Sequence, residues 1–379
     1  MKQPSTKRSQ LIALGRIVFA AVALFFVIHS VQFGDVLTKN EKSYPIVSQN
    51  DASYTIEDES GKPIQIRRSD PEYKFRIGAV SLAKSIRITP TILGVVFFAA
   101  VPILLAFRWR WLLKVQGVDI PLWPVIQLTY AGLFLNFFLI GTTGGDLVKA
   151  YWVGKFSPKR AEAFVSVFVD RFIGLVVLIL LSAVLVVFMW RDPQVAKISR
   201  GVGVLVIGTA MAILVLFSRH IRRLIRFDRW KNKLPFHELI DRIDQSLLAY
   251  RQSPKILFQA AMATVALQVL GSIASYFLGS AIFIDATLWY YLLYVPLAFL
   301  IGSIPVSIFW GLGLLEGAYV AFFAGSGFAS VTQAAMLAMA VRLMQLFWAL
   351  PGSVFLATGI GHIANLPVNE NEQERSAHE

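Results

Sequence analysis

Apolar residues recur along the chain in blocks long enough to cross about 30 Å of hydrocarbon, with polar stretches between them. The first block, Leu11 to Phe33, follows Lys2, Lys7 and Arg8, which is how a secretory signal begins. Its end, His29-Ser30-Val31-Gln32-Phe33, offers no small-residue cleavage site, so residues 1 to 33 are expected to form an uncleaved anchor helix. Residues 34 to 87 then carry nine Lys/Arg and eight acids without a long apolar run. Within them Tyr54-Thr55-Ile56 and Ile64-Gln65-Ile66 alternate on either side of Ser60-Gly61-Lys62-Pro63, which predicts a small hairpin in a β-containing extracytoplasmic loop.

Ile88 to Phe107 predicts the next span, and Arg108-Trp109-Arg110-Trp111 behind it has the basic and aromatic composition of an interface anchor. Pro121 to Ile140 is apolar but interrupted by Pro124, Gln127, Thr129, Tyr130, Gly132 and Asn136, and it runs into Gly141-Thr142-Thr143-Gly144-Gly145-Asp146. Such backbone survives at membrane depth only where protein or a watery cavity surrounds it, which predicts a broken or re-entrant helix. Ala161 to Trp190, Gly201 to Phe217, Lys255 to Phe283 and Val331 to Thr358 predict further spans. Tyr290 to Ala324, broken by Pro296, Gly302, Pro305, Gly311 and Gly313, predicts a second irregular element. The fold expected is therefore an all-α polytopic membrane protein of about eight hydrophobic segments, two of them broken or re-entrant, over residues 88 to 360. A polar, disordered tail is expected over 361 to 379.

Charge sets the orientation. From Arg219 to Lys255 ten Lys/Arg face four acids, Asp228, Glu238, Asp241 and Asp244, which marks a cytoplasmic segment. Ile221, Leu224, Ile225 and Trp230, and then Phe236, Leu239, Ile240, Ile243, Leu247 and Leu248, recur at helical spacing there, predicting basic and amphipathic helices on the membrane surface over 218 to 254. With both termini cytoplasmic, residues 121 to 140 must enter and leave on one face. An outside N-terminus with 121 to 140 crossing fully is the alternative.

Composition closes several function classes. The chain of 379 residues is 56% hydrophobic and 16% charged, with a mean hydropathy of +0.61, unlike a soluble enzyme. It has no cysteine, which excludes disulfides, thiolate metal sites and a cysteine nucleophile. His29, His220, His237, His362 and His378 are too scattered to ligate a metal, so no metal or cofactor is expected. The net charge of +13 is accounted for by the bilayer and does not call for nucleic acid.

Ionisable side chains within spans are costly and mark functional candidates. Here they are Asp146 and Lys149 after the first break, Asp170 and Arg171 inside the span from Ala161, Glu316 in the second break, and Arg342 in the last span. Glu162, Ser166, Asp170 and Gly174 repeat every four residues and share one helix face. Gly141 to Asp146 and Gly311 to Glu316 both place small residues before an acid, then an alanine-tyrosine pair (Ala150-Tyr151, Ala318-Tyr319). Exposed amides at two such breaks in corresponding positions predict a binding site and an inverted repeat. Asp146 and Asp170 are expected to pair with Lys149, Arg171 and Arg342, leaving one cation for phosphate, with Glu316 as the protonating acid. The plainer alternative is that three acids and three bases neutralise one another and only set helix register.

The ordered set Arg110-Trp111-Leu112-Leu113, Asn136 through Gly144-Gly145-Asp146 and Lys149-Ala150-Tyr151, Asp170-Arg171-Phe172-Ile173-Gly174, Pro305 to Gly313 with Glu316-Gly317-Ala318, and Arg342 before Pro351-Gly352 resembles the transmembrane region of lysylphosphatidylglycerol synthases. Stand-alone relatives are called flippase-like integral membrane proteins. The resemblance covers roughly residues 88 to 360 and implies a lipid-handling membrane domain of eight segments. Ile140 stands where proline is frequent, Leu315 where arginine is frequent, and the Pro305 to Gly311 spacing is one residue longer. No aminoacyl-transferring domain is read in these residues, so lysine transfer is not expected of them.

These observations predict a lipid translocator of the cytoplasmic membrane, not an enzyme, whose partners are membrane lipids: an anionic phospholipid or a polyprenyl phosphate. Asn136, Gly144, Gly145, Asp146, Lys149, Asp170, Arg171, Glu316 and Arg342 are the expected substrate-binding residues. The alternatives are a membrane subunit that anchors a separate envelope-biosynthesis enzyme, and an embedded transferase using the same charges.

Overall fold

In hydrocarbon every backbone N–H and C=O must find a partner within the chain, so apolar blocks of this length become helices. The computed structural model describes residues 31–39, 42–50, 52–57, 62–138, 144–156, 160–217, 249–250, 252–303 and 313–358. The anchor helix expected over residues 1 to 33 lies outside them up to Ser30, and its last three residues, Val31 to Phe33, are not helical. Most of the surface helices expected over 218 to 254 and the tail over 361 to 379 also lie outside, as do Gly141 to Thr143 and Pro305 to Gly311.

Five strands come first: β1 Val36–Lys39, β2 Lys42–Gln49, β3 Ser53–Glu57, β4 Pro63–Arg67 and β5 Lys74–Arg76. They form one antiparallel sheet in the order β4-β3-β2-β1-β5. The expected hairpin is β3 and β4, with Tyr54 opposite Ile66 and Ile56 opposite Ile64. Three more strands extend the sheet on the β3 side, leaving β4 at the edge. Their period-2 pattern is weak because β2 is largely exposed, with Pro45 inside it. The sheet curls so that Tyr54 of β3 stacks on Phe75 of β5, ring centres 5.3 Å apart, over a core of Leu37, Ile56 and Ile66.

The sheet is fastened to the helices. Helix α1, Ala79–Lys84, follows it, and Asp35 accepts from the Gly78 amide at 2.7 Å and the Ser81 hydroxyl at 3.0 Å. The Gln32 amide donates to Thr332 Oγ1 at 3.2 Å.

The helices that follow are α2 Ile88–Phe98, α3 Ala100–Val115, α4 Leu122–Phe138, α5 Gly144–Phe156, α6 Arg160–Phe188 and α7 Pro193–Phe217. Then come α8 Pro254–Ala281, α9 Leu288–Gly302, α10 Leu314–Tyr319 with a π-helical turn Val320–Ala324, α11 Val331–Ala349 and α12 Pro351–Ala357. Among the described residues five stretches are long and apolar enough to cross a membrane: Ile88–Val115, Glu162–Phe188, Pro193–Leu214, Pro254–Ala281 and Val331–Ala357. The first corrects an expected boundary. The helix does not stop at Phe107, and Arg108 and Trp109 are buried at 5% and 1% exposure instead of anchoring at an interface.

The remaining helices pair into two hairpins, and packing shows that these enter from opposite ends. At the sheet end, the Arg87 amide donates to the Ala281 carbonyl, joining the start of α2 to the end of α8. There too the Gln333 side chain, whose residue closes a reciprocal cap with Ser330, donates to the Ile282 carbonyl at 3.0 Å and fixes the start of α11. Helix α9 begins at this end, and the chain after the π turn returns to it: the Tyr294 hydroxyl meets that of Ser326 at 2.9 Å, and Tyr290 packs on Phe328. At the far end, Trp109, Val118, Ile120, Val125, Ala150, Val153 and Ala163 share one apolar cluster. That cluster holds together the end of α3, the start of α4, the return of α5 and the start of α6. Each unit is thus a span, a re-entrant hairpin and a returning span, and the second unit is inverted relative to the first.

Candidate functional site

The first hairpin closes through its small residues. A Cβ on Gly145 would collide with the Gly132 carbonyl, so only glycine permits this approach of α5 to α4. Asn136 Oδ1 accepts from the Gly145 amide at 2.8 Å, tying the two arms together. Gly144 opens α5, and Asp146 falls in its first turn, where the positive end of the helix dipole favours a carboxylate. Asp146 accepts from Lys149 Nζ at 2.8 Å and from Arg171 of α6. Lys149 also lies over the Trp109 ring, 4.5 Å from its centre, and the Trp109 indole N–H donates to Ser166 at 3.2 Å.

Asp170 takes a cation that the sequence reading misplaced. Arg108 Nε and Nη2 donate to its two oxygens at 2.7 and 2.9 Å, and Nη1 donates to Thr264 Oγ1 of α8 at 2.9 Å. The expected polar face of α6 does point inward: Ser166 and Asp170 are buried, and Gly174 lies against the Arg108 guanidinium. The signal that could have found Arg108 is the helical spacing of Arg108, Trp109, Leu112 and Leu113, which continues the apolar run.

The second hairpin repeats the arrangement. Gly313 turns with φ 86°, a left-handed backbone that favours glycine, and its amide donates to Glu316 Oε2 at 2.7 Å. Arg342 of α11 donates through Nε to Glu316 Oε1 and through Nη2 to Oε2 at 3.3 Å. Glu316 pairs with an arginine 26 residues ahead, as Asp146 does with one 25 residues ahead. The expected partnership of Arg342 with Asp146 or Asp170 is therefore not what forms. Glu316 does not stand alone on an apolar helix either, because Arg342 and the Gly313 amide occupy its oxygens.

The nine expected residues thus gather as seven at the first hairpin, Asn136, Gly144, Gly145, Asp146, Lys149, Asp170 and Arg171, and two at the second, Glu316 and Arg342. Taking charges out of water costs several kcal/mol per ion, and bidentate geometry with extra hydrogen bonds is what offsets it. Adding Arg108, four cations (Arg108, Lys149, Arg171, Arg342) face three acids (Asp146, Asp170, Glu316) in these groups among the described residues. The surplus is one positive charge. The Arg171 side chain is 41% exposed, whereas those of Arg108, Lys149 and Arg342 are 7 to 8% exposed, so Arg171 is the most accessible of the four cations. Among the described residues no group of three or more His, Asp or Glu stands close enough to hold a metal ion.

Residues 75–352 match the family model described as the lysylphosphatidylglycerol synthase TM region, which takes in both hairpins and all seven charged residues of these two groups. No curated protein matches the chain. The chain is a multi-pass membrane protein.

Proposed function

The chain belongs to the lysylphosphatidylglycerol synthase transmembrane-region family, and on that premise we propose that it translocates an anionic lipid, without catalysing a covalent step. The supporting observation is a surplus cation at a surface that also faces lipid. Leu147, Tyr151, Phe164, Phe168 and Leu175 flank Asp146, Asp170 and Arg171 and are all more than a third exposed. Acyl chains stay against that apolar surface while the phosphate competes with Asp146 for Arg171 and Lys149. A charge-assisted contact to phosphate replaces one to carboxylate at little net cost, so the exchange is reversible. The excess of Lys/Arg in the segment after α7 supports an orientation with the first hairpin on the cytoplasmic side of the cell membrane and the sheet outside.

Purified protein in liposomes should equilibrate a headgroup-labelled anionic lipid between leaflets faster than empty liposomes, read by quenching from outside. A zwitterionic lipid should move less, because its amine competes for the acids. Arg171→Gln should slow the anionic lipid. Equal rates with and without protein, across anionic phospholipids and polyprenyl phosphates, would instead support a membrane subunit that serves a separate envelope enzyme.

A further inference from the structure

Thr264, Gln268, Ser272 and Ser275 lie at i, i+4, i+8 and i+11 on α8, within about 80° of arc and along about 16 Å of helix axis. That length is roughly half the hydrocarbon thickness of a bilayer. The stripe begins at the first charge group, where Thr264 receives Arg108. It ends at the second, where Ser275 lies beside the Tyr319 hydroxyl and Tyr319 beside Glu316 and Arg342.

Two independent observations point to a polar visitor on this face. Ser272 Oγ, on this face, is buried without a hydrogen-bond partner at 0% residue exposure, and on α11, one turn beyond Arg342, Gln345 Oε1 is likewise buried and unpartnered. Leaving such a group buried and unsatisfied is costly, and packing alone does not require it. Gly271 borders this arc, about 20° beyond Thr264, and a Cβ there would meet nothing within 4 Å. The face therefore combines one unsatisfied polar atom, Ser272 Oγ, with open space at the neighbouring Gly271.

We propose that this face of α8 is the route by which a hydrated phosphate headgroup passes between the two hairpins. The inference rests on the translocator reading, and two measurements separate the two claims. Because the chain has no cysteine, single cysteines can be placed without background. Gln268→Cys and Ser272→Cys should react with a small hydrophilic thiosulfonate in proteoliposomes, whereas Ala266→Cys and Ile273→Cys, on the opposite side of α8, should not. In the quenching assay Gly271→Leu should slow an anionic lipid by at least about tenfold, a barrier increase of about 1.4 kcal/mol. Gly208→Leu, at an α7 position with equally open space, should keep the wild-type rate. Wild-type movement with an unreactive stripe, or with Gly271→Leu at the wild-type rate, overturns the route alone. No movement by the wild type overturns the translocator reading itself.

Discussion

Arg108 and Asp170 meet through two parallel hydrogen bonds of 2.7 and 2.9 Å although 62 residues separate them, and both side chains are over nine-tenths buried. The pair joins α3 to α6, and through Thr264 it also reaches α8. Three helices of the bundle therefore share one guanidinium.

Breaking that pair from one side leaves a buried charge unmatched, which costs about 3 to 5 kcal/mol. Asp170→Asn and Arg108→Met should each lower the melting temperature in detergent. The double variant Arg108→Met with Asp170→Leu should recover much of that loss, because apolar isosteres carry no desolvation penalty, yet still transport poorly. A double variant with wild-type transport would assign the pair to packing alone.

The two hairpins make a matched pair of backbone predictions. Gly313→Ala places a side chain at φ 86° and should cost about 1 to 3 kcal/mol. Gly145→Ala must push α5 off the Gly132 carbonyl, breaking the Asn136 tie as well. Thermal melts of both should fall below wild type, and Gly317→Ala, where a Cβ meets nothing within 4 Å, should not.

How much of this was legible in the sequence depended on whether a feature is local. The spans, the two breaks and the inward face of α6 follow from periodicity and from glycine and proline, which act within a few residues. Asp146, Lys149, Asp170, Arg171, Glu316 and Arg342 stood out because charge in an apolar run is itself a signal. Partner choice was not legible. Arg108 next to two tryptophans has the composition of an interface anchor, and only α6 and α8 packing beside it reveal a buried ion pair. The strands β1, β2 and β5 were missed for the same reason, since their partners lie elsewhere in the chain and their outer faces alternate little. The polar stripe of α8 was readable from its spacing, but its unpartnered Ser272 Oγ is a property of packing.

Orientation can be measured directly. Ser48 lies on the exposed sheet and Gln252 on the exposed turn before α8, at opposite ends of the bundle. With the basic segment cytoplasmic, Ser48→Cys should be labelled by an impermeant maleimide in intact cells, and Gln252→Cys only after permeabilisation. The reverse pattern would invert the protein and place the first hairpin on the outer leaflet.

Acid should weaken the turn between α6 and α7 at the sheet end. Asp192, in the turn between α6 and α7, accepts from the Tyr290 hydroxyl of α9 and, through Oδ1, from the Gln194 amide at 2.8 Å. Burial works to raise its carboxyl, but the hydrogen bonds from Tyr290 and from the amides of Gln194 and Val195 outweigh it and hold the group below its ordinary value. A carboxyl so held stabilises the fold at every pH above its unfolded value of about 3.9. That contribution fades as pH falls through the lower, folded value. Asp192→Asn keeps the shape and removes the charge, so it should melt below wild type at pH 7. The gap should close as both proteins are taken below about pH 4, where the wild-type carboxylate itself takes up a proton. Melting curves across that range decide the point. A gap that stays constant to the lowest pH at which the protein remains folded would mean that the loss comes from side-chain geometry, and that the charge of Asp192 does not hold α9 to the turn.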